Sequence, residues 1–442
     1  MFNQTQRSMI PHGQHPSSIP SLTHPLQTAL LLLFLFVQCT TAQDVTYPDA
    51  EANGLSSERL SRLTEVMQEY SENQWIPGGV IQINRNGTTV YRESFGYRDR
   101  ESQESMPEDA IFRIASQTKA IVSVGIMMLQ EEGKLLISDR LDRYIPEFSD
   151  PVVGEPTDGD GYRLVPANRP ITLRHLLTHT SGIGYGYGTT ADQWEEAGIQ
   201  NWYFADRNEP VLETIRRMGS LPLENHPGER YLYGYNTDIL GAVIEIVSGM
   251  PLDQYLRETI LNPLGMDDTH FYLPQEKVDR LAVVYHSNRE RTLERAPAPG
   301  GSDGQGHYVD GPRTSFSGGA GLLSTAHDYS RFLQMLLNGG ELDGVRLLSP
   351  TTLDLMTTNH IGDLFPRAGE GMGLGLYTLL DAGERGSPGY KGEFGWGGAY
   401  HSTYWVDPTN QLTVTFFTQM RRIPYSDVHG KVRALVYQSI ME

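Results

Sequence analysis

The sequence predicts a protein of the mixed α/β class, α+β in type: one antiparallel sheet built from both chain ends and flanked by helices, with a mainly helical lobe inserted between. Three observations predict it. Apolar, β-branched segments occupy residues 79–95 and return only at 373–419, while helix-like stretches broken by Pro- and Gly-rich loops fill the interval from Ile111 to about residue 310. Strand-like segments at opposite ends of a chain bury their apolar faces by meeting in one sheet, which an inserted lobe permits. At 442 residues the chain exceeds an ordinary single core, so two packed lobes are expected.

Residues 29–37 (ALLLLFLFV) form an apolar run too short to span a bilayer, followed by the small residues Thr40 and Ala42. This is the pattern of a signal peptide over 1–42, cleaved near Ala42. Export to the periplasm or the medium is expected, with no stable membrane span after cleavage. Arg7 is the one fixed positive charge ahead of the run, so an uncleaved anchor is the alternative. Cleavage would remove Cys39, the one cysteine, and leave a chain that relies on its core without disulfides.

Residues 43–54 read as an unstructured lead-in, after which Leu60, Leu63, Met67 and Tyr70 recur at helical spacing and predict a first helix from the high fifties to about 71. Residues 79–83 and 88–95 predict a hairpin about Asn86-Gly87, a type I′ turn signal. The turn accounts for these residues better than the glycosylation sequon they form with Thr88. Residues 150–170 and 180–200 are expected as long irregular loops that shape a site. Near the end, 373–378, 400–406 and 411–419 predict strands, the last two joined through Asp407-Pro408-Thr409-Asn410, and 427–441 a closing helix. The expected lobes are 55–115 with 315–442 for the sheet, and 116–314 for the helical insertion.

Hydrophobic residues at 38% and aromatics at 10% belong to a folded chain. A net charge of −19 argues against nucleic acid as a partner, because phosphate binding needs a positive footprint.

A serine hydroxyl is a weak nucleophile at neutral pH and needs a proton acceptor within hydrogen-bond reach. Ser116-Gln117-Thr118-Lys119 opens an apolar helix that stops near Gly133, and residues three apart share a helix face, so the Lys119 amine can lie beside the Ser116 hydroxyl. The helix N-terminus adds unpaired N–H groups and a positive dipole end, both favourable to the charge that develops in acyl transfer. Alone, S-x-x-K recurs by chance in long chains and marks only a surface serine and lysine. Further along, Tyr233-Gly234-Tyr235-Asn236-Thr237-Asp238 follows Pro227-Gly228-Glu229 and precedes a helix over 239–248 that ends at Gly249. Phe394-Gly395-Trp396-Gly397-Gly398-Ala399 then leads into the strand at 400–406.

With the stretches IFRIASQTKA, LRHLLTHTSG, PGERYLYGYNTDILG, GGAGLLSTAHDYSRF and FGWGGAYHSTYWVDP in this order, the chain resembles the serine β-lactamase-like family. That family includes class C β-lactamases, D-alanyl-D-alanine carboxypeptidases and family VIII carboxylesterases. The resemblance covers about residues 55–440 and implies Ser116 as the acylated nucleophile, Lys119 as the group that holds or relays its proton, and Tyr233 as the base in acylation. It places Trp396-Gly397-Gly398-Ala399 where penicillin-interacting relatives carry K-T-G. The N–H groups of Ser116 and Ala399 then form the oxyanion hole, and Tyr235, Trp396, Gly397 and Gly398 lie against the substrate. The implied activity is that of a serine hydrolase, a carboxylesterase on short-chain neutral esters. A β-lactamase, a carboxypeptidase acting on amides, or an acyltransferase would use the same group. The implied partner is a small ester or amide, with no cofactor and no metal.

Two departures bear on the substrate. Many relatives carry Y-x-N, whereas here Tyr235 takes the third position and the asparagine moves to Asn236. Trp396 replaces the lysine of K-T-G, which removes a cation that engages substrate carboxylates and biases the site toward neutral substrates, unless Arg313 or Lys391 supplies one from another loop. W-G-G segments of this kind resemble those of the carboxylesterase branch.

Other features have plainer readings. Gly300-Gly301-Ser302-Asp303-Gly304 matches the G-x-S-x-G elbow but lacks the preceding strand and following helix. His175 and His179 have i,i+4 spacing without the glutamate of H-E-x-x-H, and are expected to cap or pack. Gly182, Gly184, Gly186 and Gly188, interleaved with tyrosines, read as a flexible loop at the edge of a site. Gly371, Gly373 and Gly375 read as close packing within a strand, and His401 as structural.

Overall fold

In the computed structural model, residues 48–441 are described, apart from 160, 291 and 425. The signal peptide expected over 1–42 lies outside the described residues. The lead-in is not irregular throughout. Pro48–Ala52 forms a short helix, α1, because Ala50 and Leu55 are buried in the apolar layer that also holds Leu60. α2 (Ser57–Glu72) follows, its first turn capped by the Ser56 hydroxyl, which accepts the Arg59 N–H. Leu60, Leu63, Met67 and Tyr70 lie along its buried face, as their spacing predicts. Burying each such side chain contributes about 1.5–3 kcal/mol.

β1 (Gly78–Arg85) and β2 (Thr88–Asp99) pair as the expected hairpin. Asn86 and Gly87 both have positive φ, 52° and 77°, the geometry a type I′ turn demands. A short β3 (Glu104–Ser105) edges the sheet. The chain then leaves for helices that include α3 (Thr118–Glu131) and α4 (Asn236–Ser248), and returns through α5 (Ala326–Leu337). It completes the sheet with β4 (Glu370–Met372), β5 (Tyr377–Leu379), β6 (Phe394–Gly397), β7 (Thr403–Asp407) and β8 (Leu412–Phe417), and closes with α6 (Val428–Tyr437). The order is β4-β5-β6-β7-β8-β1-β2-β3, antiparallel throughout, so the C-terminal strands join the N-terminal hairpin where β8 meets β1.

Register sorts the sheet's two faces. Ile81 pairs with Phe416 and Ile83 with Val414, and these side chains pack with those of α2 and α6. Val80 and its partner Phe417 point the other way, into a cluster shared with α5. That second cluster continues through Ile121 of α3 and Ile239 of α4 to Trp194, so one apolar core joins the sheet to the inserted helices. No single helix among the described residues is long and apolar enough to cross a membrane.

Several expected elements change. The strand expected at 373–378 is the β4–β5 hairpin, with Gly373–Leu376 as its turn: Gly375 has φ 84°, and a Cβ there would stand 2.1 Å from Ser123 Oγ on α3. The strand expected from 400 starts at Thr403, because Tyr400 and His401 form a turn, with His401 at φ 67°. Residues 150–170 carry a hairpin of Val152–Pro156 and Tyr162–Pro166, and 180–200 a short helix, Ala191–Glu196. Tyr285–Ser287, Leu293–Arg295 and Met420–Arg421 form a small sheet that the alternation pattern did not reveal.

A buried charge cluster anchors β6. Glu393, fully buried just before it, accepts from Arg385 Nη1 and Arg433 Nη1 at 2.8 Å each, from Tyr377 Oη at 3.0 Å and from Tyr437 Oη at 2.7 Å. These donors belong to β5, α6 and the segment between β5 and β6. The polar cluster thus fixes the strand that borders the site.

Candidate active site

Ser116 is presented by a strained backbone. It sits in a 3₁₀ turn, Ala115–Gln117, that runs into α3, rather than in the first turn of the α-helix itself. Ala115 has φ 44°, a left-handed conformation that costs a residue with a Cβ on the order of 1–3 kcal/mol. The turn is held against that cost. Ile114 N–H donates to Leu322 O and Leu322 N–H to Thr118 Oγ1, each at 3.1 Å, and Tyr329 Oη donates to Gln117 O at 2.9 Å. Ala115 is fully buried while Ser116 is partly exposed, in the wall of a cavity of about 550 Å³.

Lys119 follows one turn later and is buried. Its Nζ donates to Gly319 O at 2.7 Å and to Tyr185 Oη at 3.3 Å, and stands 4.5 Å from the centre of the Tyr233 ring. Among the described residues it makes no direct hydrogen bond to Ser116. Gly319 also donates its N–H to Asp238 Oδ1 at 3.0 Å, beside Ser317 Oγ at 2.6 Å. Burial pushes the Asp238 carboxyl pKa up, against the pull of the nearby Lys119 charge and these hydrogen bonds. The G-G-A-G-L-L-S stretch thereby acquires a reason: a Cβ at Gly319 would stand 2.3 Å from Asp238 Oδ2, and one at Gly318 2.5 Å from Thr237 O.

Tyr233 is boxed by aromatic rings. Trp396 lies 5.8 Å from it, centre to centre, and donates its indole N–H to the phenol oxygen at 3.3 Å. His179 lies 4.6 Å away, and burial together with the Lys119 charge pushes the pKa of its imidazole well below the ordinary value, so that it is neutral. Tyr185 meets Tyr233 edge-on at 5.8 Å. Burial raises the Tyr185 pKa well above 10, and it stays a neutral phenol beside the amine.

Trp396 and Gly397 end β6, and Gly398 and Ala399 turn away from it; all four line the cavity with Ser116 and Tyr233. Glycine is required at 398 because a Cβ would stand 2.6 Å from Ile114 O, so this turn lies against the backbone that leads into Ser116. Among the described residues the N–H groups of Ser116 and Ala399 have no protein acceptor, whereas Gly398 N–H is taken by Ser402 O at 2.8 Å. Two free donors in one cavity wall are what a developing oxyanion needs. Among the described residues no cluster of three or more His, Cys, Asp or Glu is arranged to hold a metal ion.

A model of the Beta-lactamase family matches residues 63–438. The chain belongs to the Beta-lactamase family. Esterase EstB of Burkholderia gladioli is 31% identical to it over 388 residues, which are 84% of this chain and 93% of EstB. Protein Rv1367c of Mycobacterium tuberculosis is 32% identical over 365 residues, 80% of this chain and 88% of that protein. The solved structure of EstCE1, a hydrolase with promiscuous acyltransferase activity, superposes with a TM-score of 0.74 at 27% identity, covering 88% of this chain and 100% of EstCE1. As a Beta-lactamase-family member with esterase relatives, the chain is a serine hydrolase.

One position expected near the substrate lies elsewhere. Tyr235 is fully buried: its hydroxyl donates to Asn201 O at 2.5 Å, its ring stacks on Trp194, and it is absent from the cavity wall. Asn236 is also buried, its amide spent on Ser181 Oγ, His179 Nδ1 and Ile183 O. It pins the T-H-T-S-G segment to the start of α4. His175 caps its own helix, exchanging hydrogen bonds with Thr172. Ser302 hydrogen-bonds Asn201 Nδ2 in a different surface hollow. His401 stacks on His429, and it is His429 that reaches the cavity. Sequence reasoning passed over Tyr185, Asp238, Phe365 and Arg367. The first could have been found as a tyrosine within the glycine-interleaved segment, and the second as the acid five residues after Tyr233.

Proposed function

We propose that this serine hydrolase is a carboxylesterase that works through an ester of Ser116. The reading is carried by one arrangement: Ser116, Tyr233 and the Trp396–Ala399 segment share one cavity wall, with Lys119 buried against the Tyr233 ring. Ser116 Oγ attacks the substrate carbonyl as Tyr233, acting as its phenolate, takes the hydroxyl proton, with the positive charge of Lys119 beside the ring offsetting the phenolate charge. The carbonyl oxygen gathers negative charge on the N–H groups of Ser116 and Ala399. The C–O bond to the alcohol then breaks, Tyr233 returns the proton to the leaving oxygen, and water repeats the sequence to release the acid. Trp396, Phe365 and Tyr231 supply an apolar wall suited to the hydrocarbon portion of a short ester.

An acyltransferase differs only in the acceptor that replaces water, and the activity stated for EstCE1 keeps that reading as the second one. The test compares turnover of short p-nitrophenyl esters with that of a chromogenic cephalosporin, and maps a fluorophosphonate adduct by mass spectrometry. Ester turnover with the adduct on Ser116, abolished by Ser116→Ala and kept by Ser302→Ala, is expected. Preferred cephalosporin turnover, or an adduct on Ser302, would overturn the reading.

A further inference from the structure

The glycine-interleaved segment 182–188 has no part in the reaction as written, yet it carries Tyr185, whose hydroxyl accepts from Lys119 Nζ. Gly182 and Gly186 have φ of 87° and 79° and make its turns. Gly184 and Gly188 lack positive φ, so alanine would suit their backbone, but a side chain at either would have to displace the end of Glu224. A Cβ at Gly184 would stand 2.3 Å from Glu224 Oε1, and one at Gly188 1.8 Å from Oε2. The Gly188 N–H donates to this carboxylate, and the Glu224 N–H donates to Gly182 O at 2.8 Å. On its other side the segment meets the tyrosine motif, where a Cβ at Gly234 would stand 2.3 Å from Ile183 O and 2.5 Å from Gly184 O. Gly234 directly follows Tyr233. The segment is thus held between the Glu224 carboxylate and the backbone that carries Tyr233.

We infer that Glu224 is a positioning residue for acylation: its carboxylate fills the space left by Gly184 and Gly188, and so fixes the segment that sets Tyr185 against Lys119 and packs on the Tyr233 backbone. The inference rests on the reading of Ser116, Lys119 and Tyr233 as the acylating group.

The experiment measures the rate of Ser116 labelling by a fluorophosphonate, kcat and KM for p-nitrophenyl acetate, and the melting temperature, in Gly188→Ala, Glu224→Ala, their double variant and Glu224→Gln. Gly188→Ala is expected to slow labelling and kcat by on the order of tenfold to a hundredfold with little change in KM or melting, because small misplacements of reacting groups are costly. Glu224→Ala is expected to slow both as well, and the double variant to be no slower than Glu224→Ala, since the atoms that the new methyl group meets are gone. Glu224→Gln, which keeps the volume and an acceptor, is expected to retain most activity. A wild-type rate in Gly188→Ala, losses that multiply in the double variant, a Glu224→Gln loss equal to that of Glu224→Ala, or a fall in melting that matches the loss of rate would each overturn the clamp. If wild-type Ser116 is not labelled at all, the reading of the site fails instead.

Discussion

The indole N–H of Trp396 donates to the phenol oxygen of Tyr233 across 3.3 Å. Trp396, for which the family pattern implies a lysine, is therefore still a hydrogen-bond donor to the proposed base, and it stabilises negative charge carried by that oxygen. Trp396→Phe keeps an aromatic wall and removes the donor. A net hydrogen bond contributes about 0.5–1.5 kcal/mol, so kcat for p-nitrophenyl acetate is expected to fall roughly three- to tenfold, because the charged form of the base loses a donor, with KM nearly constant. An unchanged kcat would reduce Trp396 to a packing residue.

Lys119 and Tyr233 are expected to matter more. A positioned proton-transfer group contributes at least about a hundredfold, and Lys119→Ala and Tyr233→Phe should each lower kcat by that much. The two should differ in stability. Lys119→Ala leaves Asp238 buried without its neighbouring cation, so its melting temperature should drop, whereas Tyr233→Phe should melt close to wild type. Near-normal turnover in Tyr233→Phe would assign the base to another residue.

The Glu393 cluster gives a prediction about acid. Burial alone would raise the Glu393 pKa, but the guanidinium groups of Arg433 and Arg385 hold its carboxyl below the ordinary glutamate value of 4.5. A depressed folded pKa means that the stabilisation is complete above the unfolded value and is lost as pH falls through the folded one. The melting temperature of the wild type should therefore decline as pH falls below 4.5 and through the lower folded value, as the carboxylate takes up a proton. Glu393→Gln takes the 2.8 Å carboxylate partner from two guanidinium groups that are 9% and 13% exposed, and should cost up to about 3–5 kcal/mol near neutral pH, with less loss relative to wild type in acid. Chemical denaturation of both proteins at pH 7 and pH 4 checks the sign, and an equal difference at the two values would sink it.

What was legible in the sequence was whatever local spacing determines. Leu60, Leu63 and Met67 disclose α2 because a helix repeats every 3.6 residues, and Asn86-Gly87 discloses its hairpin because few residues accept positive φ twice in succession. Ser116 and Lys119 lie one turn apart and needed no tertiary information. Tyr235 was misplaced because facing the cavity or the core depends on the exact phase of the turn entering α4, which packing on Trp194 decides. Gly375 read as strand because nothing local announces that Ser123 of α3 presses on it. Tyr185 and Arg367 arrive on aperiodic loops, and nothing local marks Glu393 as buried, because its partners come from β5 and α6.

The substrate preference can be sharpened by Arg367. The absence of a lysine at Trp396 predicts neutral esters, and neither cation considered from other loops repairs it: Arg313 donates to Leu273 O and Val309 O, and Lys391 is exposed, outside the cavity wall. Arg367 does line the cavity, its guanidinium 5.7 Å from the Trp396 ring and 5.6 Å from that of Phe365. Its side chain is 58% exposed and already shares charge with Glu370 at 3.4 Å, so a carboxylate on the substrate would gain about 0–1 kcal/mol from it rather than the larger value of a buried pair. The wild type should accordingly favour an acetate ester over an otherwise similar hemisuccinate, but by a margin that widens up to about fivefold in Arg367→Gln, through KM and not kcat. Raising the salt concentration should widen the wild-type margin in the same direction, because screening weakens an exposed cation. If Arg367→Gln leaves the ratio of kcat/KM for the two esters unchanged, the guanidinium serves only to cover Trp396 and Phe365, and the preference follows from the aromatic wall alone.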